Sequence, residues 1–194
     1  GLTETSPAAT INPLDLKEYN GFIGLPLPST FIQIKDDDDN DLGIDAEGEL
    51  CIKGPQVTQG YWKRPDESKK AFTKDGYFRT GDYATINAKG YVKILDRKKD
   101  MILVSGFNVF PNEIEAVLML HPDIVEAAVI AIPYPDSGEA VKVFIVKRTD
   151  SLTEEIVNTY CRKQLTAYKC PKEIVFMDEL PKSNVGKVLR KNLR

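Results

Sequence analysis

Hydrophobic and polar positions alternate along Phe31-Ile32-Gln33-Ile34-Lys35 and again along Glu49-Leu50-Cys51-Ile52-Lys53, the latter lying between Gly48 and Gly54. A period of two sends successive side chains to opposite faces, so both stretches predict strands. Residues 91–95 predict another, entered through the turn Asn87-Ala88-Lys89-Gly90. From about residue 99 the pattern changes. A short apolar strand at 101–104 is followed by Pro111 in the first turn of a helix, with Ile114, Val117 and Leu118 on one face. Residues 124–132 and 140–147 read as an antiparallel pair across the turn-rich Pro133-Tyr134-Pro135-Asp136-Ser137-Gly138. Ser151 and Glu154 have capping-box spacing before a helix carrying Ile156, Val157, Tyr160 and Leu165, and a last strand covers 174–177. The expected class is α+β. A β-rich, distorted barrel-like or curled part spans 1–98, and a small α+β domain with a short antiparallel sheet and flanking helices spans 99–194.

Composition narrows the function classes. Of 194 residues, 42% are hydrophobic and 28% charged, enough apolar mass for a packed core. The net charge of −3 argues against nucleic acid as a partner, which calls for a basic excess. Cys51, Cys161 and Cys170 lack metal-motif spacing and read as reduced thiols of a cytoplasmic protein. His121 is the single histidine, which disfavours a multi-histidine metal site; in His121-Pro122-Asp123 it reads as a helix-to-strand turn with no catalytic role. The longest apolar run, at 124–132, is too short to span a bilayer and contains Glu126. The chain opens on Gly1-Leu2-Thr3-Glu4 without a Met or a signal peptide, so we expect a fragment of a longer protein. Residues 182–194 carry Lys182, Lys187, Arg190, Lys191 and Arg194 with no acid, a basic tail on an otherwise balanced half.

Several motifs have two readings when taken singly. Asp36, Asp38 and Asn40 fall on the first ligand positions of a calcium loop with Glu47 on the twelfth, but Asp41 replaces the required Gly. A solvated hairpin tip is the better reading. Pro181-Lys182-Ser183-Asn184-Val185-Gly186-Lys187 resembles half a phosphate loop, with Pro181 in place of the first Gly and Val188 in place of the magnesium-binding hydroxyl. Lys187 is then either a solvated tail lysine or an ammonium presented to a phosphate on a Gly turn. In Thr80-Gly81-Asp82 the carboxylate either caps a turn or accepts ribose hydroxyls. Glu4, beside Thr3 and Thr5, is a metal or phosphate-site ligand or a surface acid.

Taken together and in order, these pieces resemble the carboxyl-terminal part of the adenylate-forming superfamily of acyl-CoA synthetases, luciferases and adenylation domains. Gly1-Leu2-Thr3-Glu4 is similar to its Tyr-Gly-x-Thr-Glu motif without the Tyr. Gly48-Glu49-Leu50-Cys51-Ile52-Lys53-Gly54 with Gly60-Tyr61-Trp62, then Thr80-Gly81-Asp82, follow in the family's order. Asp96-Arg97-Lys98-Lys99-Asp100 with Ser105-Gly106-Phe107-Asn108, and Asn184-Val185-Gly186-Lys187-Val188-Leu189-Arg190, complete the set. The stretch from Asp75 to Asp100 resembles the signature of bacterial long-chain fatty acyl-CoA synthetases, departing from it at Tyr77, Phe78 and Arg79.

The resemblance implies a ligase in which a fatty acid carboxylate attacks the α-phosphate of ATP, giving acyl-adenylate and pyrophosphate, after which the CoA thiol displaces AMP. Joining two anions requires cations and positioning. It implies that Lys187 supplies charge at the α-phosphate, that Asp82 holds the ribose with Arg97 nearby, that Thr3 contacts phosphate and that Glu4 ligates Mg2+. Ser105, Gly106 and Phe107 line the pantetheine path, with Gly106 lacking a Cβ to block it. Residues 99–194 swing about the hinge Lys99 to exchange Lys187 for the Gly106 face. Residues 1–98 are then the end of the large AMP-binding domain. The phosphate loop, adenine contacts and acyl tunnel lie elsewhere, so the isolated chain is expected to be inactive. The expected partners are fatty acid, ATP and CoA, and no nucleic acid. The resemblance leaves room for peripheral contact with the inner face of the membrane and for a homodimer. The alternatives are a ligase for a medium-chain or aryl acid, and a non-catalytic module binding nucleotide or a carrier protein.

Overall fold

The computed structural model describes residues Gly1–Arg194, which divide into two compact units, Gly1–Lys99 and Asp100–Arg194. In the first unit, β1 (Thr10–Ile11) pairs with β2 (Leu25–Pro26) as a small antiparallel ribbon. The main sheet is an antiparallel meander of β3 (Phe31–Lys35), β4 (Gly48–Lys53), β5 (Phe78–Ile86) and β6 (Val92–Arg97), in that order. Its inward positions, Ile34, Leu50, Ile52, Ala84 and Val92, form one cluster on which Leu2 packs. Burying each of the larger aliphatics contributes roughly 1.5–3 kcal/mol. The short helix α1 (Pro65–Lys70) buries nothing and only links β4 to β5.

Two expectations for this unit change. The sheet does not close into a barrel: β3 and β6 remain edges, and four strands are too few to curl back on one another. Thr80-Gly81-Asp82 lies not in a turn but inside β5. Pairing jumps from Glu49↔Tyr83 to Cys51↔Arg79, so β5 carries two more residues than its partner there, and Gly81 takes a φ of 70°. A bulge of this kind re-aims side chains next to a site.

The second unit contains β7 (Ile102–Val104), β8 (Phe107–Val109), α2 (Pro111–Met119), β9 (Ile124–Tyr134), β10 (Gly138–Lys147), α3 (Glu154–Gln164) and β11 (Glu173–Met177). The long β9–β10 hairpin is antiparallel, as expected, whereas β11 joins β10 in parallel because α3 intervenes and returns the chain in the same direction. Alternation along β9 and β10 divides two faces. Val129, Val141, Val143 and Ile145 meet Ile114 and Leu118 of α2 and Val157 and Cys161 of α3. Ala128, Ile130 and Phe144 face the other way, against Leu180 and Leu193 of the tail segment. The α3 cap is not at Ser151: Thr153 is the N-cap, and its hydroxyl accepts from Ile156 N at 3.3 Å, while Ser151 is engaged with Thr149. The inward face of α3 therefore runs through Val157 and Cys161, leaving Ile156 at 43% exposure. No helix is long and apolar enough to cross a membrane.

Candidate nucleotide and hinge sites

In the first unit the register of β5 with β6 sets Asp82 opposite Arg97, and Arg97 Nε donates to Asp82 Oδ1 at 3.0 Å. The same guanidinium donates to the Thr80 carbonyl at 3.3 Å, so it grips both ends of the bulge. Asp82 is about four-fifths buried; desolvation raises its pKa above the ordinary Asp range, and Arg97 opposes that rise. Thr3 and Glu4 lie in a 3-10 turn, which Thr5 stabilises by bonding Leu2 N, Leu2 O and Pro7 O. Glu4 Oε1 accepts from the Tyr61 hydroxyl at 3.0 Å, and Thr3 is exposed. The pieces read separately as Thr3-Glu4, Tyr61, Asp82 and Arg97 all lie in this one unit.

Behind this site lies a charge network that sequence reasoning missed. Glu49, 4% exposed, accepts from Arg79 at 2.8 Å, from Lys98 at 2.9 Å and from the Gly81 amide at 3.2 Å. Asp37 and Asp39 of the acidic hairpin reach the same cations, at 2.5 Å to Lys98 and in an ion pair with Arg79. Burial works against the charge on Lys98, but hydrogen bonds to Asp37 and Glu49 outweigh it and raise its pKa. The acidic run is thus a hairpin tip, with Asp36 capping the Asp38 and Asn40 amides, yet Asp39 holds Arg79 on the strand that carries Asp82 and Asp37 holds Lys98 just beyond β6. The departures from the acyl-CoA synthetase signature have internal uses here. Tyr77 lies 5.2 Å from the buried Lys35 ammonium, Phe78 packs edge-on against Phe72, and Arg79 completes the Glu49 network.

Lys98–Asp100 forms a 3-10 turn at the boundary of the units. Lys98 is tied into the first unit through Glu49 and Asp37, and Asp100 into the second through Arg194 at 2.7 Å and Arg190 at 3.6 Å. Lys99, between them, is exposed.

Ser105 and Gly106 are the two turn residues of the β7–β8 hairpin, closed by Val104↔Phe107, with φ of 50° and 85°. Positive φ at both positions is what a two-residue type I′ turn demands, and Gly satisfies it without strain. A Cβ at Gly106 would meet nothing within 4 Å, so conformation alone accounts for the glycine in this unit taken by itself. Phe107 stacks on Tyr168 at 4.9 Å, and a cavity of about 320 Å3 beside Ser105 is lined by Tyr134, Tyr168, Cys170 and Lys172. Lys187 sits on a hairpin closed by the Lys182↔Val188 bridge, with Gly186 at φ 79°. It is exposed, whereas Lys182, Arg190 and Arg194 of the same tail pair with Glu126, Glu115 and Asp100. His121 accepts the Asp123 amide at 3.2 Å and packs edge-on against Tyr160, a structural role. All three thiols are free; Cys51 and Cys161 are buried, and desolvation pushes Cys51 up to about 12 and Cys161 up to about 11, too high for thiolate chemistry near neutrality, whereas Cys170 is only half-buried.

Residues 1–62 match the AMP-binding enzyme family and residues 113–187 match the AMP-binding enzyme C-terminal domain, in that order on one chain. The chain belongs to the AMP-binding, adenylate-forming enzymes. Over all 194 residues it is 59% identical to a long-chain-fatty-acid–CoA ligase of Yersinia pestis and 56% identical to one of Escherichia coli O6:H1. It spans 34% of the length of each. Among solved structures, the ATP-bound MatB of Rhodopseudomonas palustris matches the whole chain with a TM-score of 0.92 at 38% identity, over 39% of that protein.

Proposed function

We propose that this chain forms about one third of an ATP-dependent long-chain fatty acid–CoA ligase, the first unit closing the nucleotide site and the second carrying the mobile lysine. One observation carries the reading. Lys187 stands exposed on a glycine hairpin, in no ion pair, while Lys182, Arg190 and Arg194 of the same tail are paired, in a chain 59% identical to such a ligase. An unpaired ammonium on a preformed turn is suited to meet an anionic phosphate, and charge placed where negative charge develops is the main lever on adenylate formation.

In this reading Asp82, oriented by Arg97, accepts the ribose hydroxyls of ATP, and Thr3 contacts phosphate. Glu4 fits Mg2+ as one carboxylate of the kind that holds this ion together with substrate phosphates; one of its oxygens is steadied by Tyr61, and no cluster of three potential ligands competes. The ion, when bound, neutralises phosphate charge. Rotation at Lys99 removes Lys187 after adenylation and presents the Ser105-Gly106-Phe107 turn, along which the pantetheine arm of CoA approaches. A cytoplasmic setting with peripheral contact at the inner membrane face, and a homodimer, rest on the resemblance alone.

The test is pyrophosphate release by the whole protein across acids of different length. Preference for long-chain acids supports the reading, and preference for medium-chain or aryl acids replaces it with the ligase alternative. Nucleotide binding without pyrophosphate release from any acid favours the non-catalytic module. The 194-residue chain alone is expected to release none with palmitate.

A further inference from the structure

Arg190 stands three residues beyond Lys187 and is four-fifths buried. Its Nη2 lies 2.8 and 2.9 Å from the two Glu115 oxygens and 3.0 Å from Asn112 Oδ1, both residues on α2. Glu115 is itself fixed, since its Oε1 accepts the Val129 amide of β9 at 2.9 Å. The other arm of the guanidinium, Nη1, faces Asp100 Oδ2 at 3.6 Å, and Arg194 holds the second Asp100 oxygen at 2.7 Å. One planar fork, carried by the tail, therefore touches both the helix and the residue that immediately follows Lys99. Beside it, the Lys187 hairpin is fastened by Leu189 N to Pro181 O at 2.7 Å and by Leu180 and Leu193 in the apolar cluster.

We propose that Arg190 is the positioning residue for Lys187: it ties the Lys187 hairpin to Asp100, so that hairpin and pivot turn as one body. This rests on the ligase reading of Lys187. A lysine on a loose tail would sample many positions, and a misplacement of about 1 Å at a reacting centre costs on the order of 10²-fold in rate. Lysine in place of Arg190 keeps the charge but not the fork that spans Glu115 and Asp100.

Two measurements separate the inference from the reading beneath it. In the 194-residue chain, Arg190→Gln should speed hydrogen exchange at the Gly186, Leu189 and Leu193 amides by at least ~10-fold, while the β9–β10 amides keep their protection. Unchanged tail exchange would overturn the proposal whatever the enzyme does. In the whole protein, Arg190→Gln should lower kcat for pyrophosphate release by ~10- to 10²-fold with KM for ATP within about 3-fold. It should spare thioester formation from supplied acyl-adenylate, and Arg190→Lys should recover part of the loss. Equal loss in both half-reactions also overturns it. Should Lys187→Ala leave pyrophosphate release intact, the ligase reading fails, and the exchange result still decides whether Arg190 fastens the tail. Glu115→Gln, which removes one partner's charge and leaves Arg190 in place, provides a milder variant if Arg190→Gln does not fold.

Discussion

Lys98 places its ammonium 2.9 Å from Glu49 Oε2, joining the last residue before the hinge to a buried carboxylate in the second strand of the main sheet. Glu49 also receives Arg79 and the Gly81 amide, so a single side chain fixes the hinge approach and the bulge that carries Asp82.

Removing it takes a buried partner from both cations and leaves Arg79 only Asp39 and Lys98 only Asp37. Glu49→Ala should cost ~3 kcal/mol or more, the usual scale for breaking a buried pair from one side. Urea unfolding of the isolated chain measures this. A change under ~1 kcal/mol would mean that Asp37 and Asp39 suffice for both cations.

Asp82 gives a signed pH dependence. Burial raises its pKa above 3.8 in the folded chain, so the folded state holds this proton more tightly than the unfolded state. Its stabilising contribution is complete below the unfolded value and is lost as pH rises through the folded one. Wild-type stability relative to Asp82→Asn should therefore decline from strongly acid to neutral pH. Denaturation midpoints of the two proteins across that range check the sign, and a wild-type gain with rising pH contradicts it.

Lys187→Ala in the whole protein should slow adenylation by at least ~10²-fold, on the scale of losing one transition-state charge contact. It should spare thioester formation from acyl-adenylate. Gly106→Leu should do the reverse. Gly106→Ala shares the strain of a φ of 85° but not the bulk, so comparing the two separates backbone cost from obstruction. Pyrophosphate and thioester are measured separately, each variant with a melting curve; equal losses at unchanged melting temperature would refute the assignments of Lys187 and Gly106.

Trypsin should cut the chain first after Lys99, exposed between two anchored neighbours, ahead of cuts within residues 101–180. Lys99→Gln should delay that cut, and mass spectrometry of the early products identifies it. In the whole protein, Lys99→Pro should favour adenylation over thioester formation, because a fixed φ restricts the rotation.

Local pattern determined much of this molecule. Alternation at Phe31–Lys35 and along β4 marked strands because Ile34, Leu50 and Ile52 share the inward face, although Lys35, Glu49 and Cys51 between them are buried as well. Pro111 marked the start of α2, and the order of the motifs carried the resemblance to adenylate-forming enzymes without any structure. Other features belong to pairings between residues far apart in sequence. Strand β5 was hidden because Gly81 and two extra residues interrupt its alternation, and only its partner β4 shows that they form a bulge. The cap at Thr153 prevailed over Ser151 because burial of Val157 and Cys161 sets where α3 begins. The acidic run looked solvated because Arg79 and Lys98, its partners, lie 40 and 61 residues away. Which tail cations are paired was likewise a tertiary outcome: Lys182, Lys187, Arg190, Lys191 and Arg194 carry equal charge in sequence, and the positions of Glu126, Glu115 and Asp100 engaged Lys182, Arg190 and Arg194 and left Lys187 exposed on its hairpin.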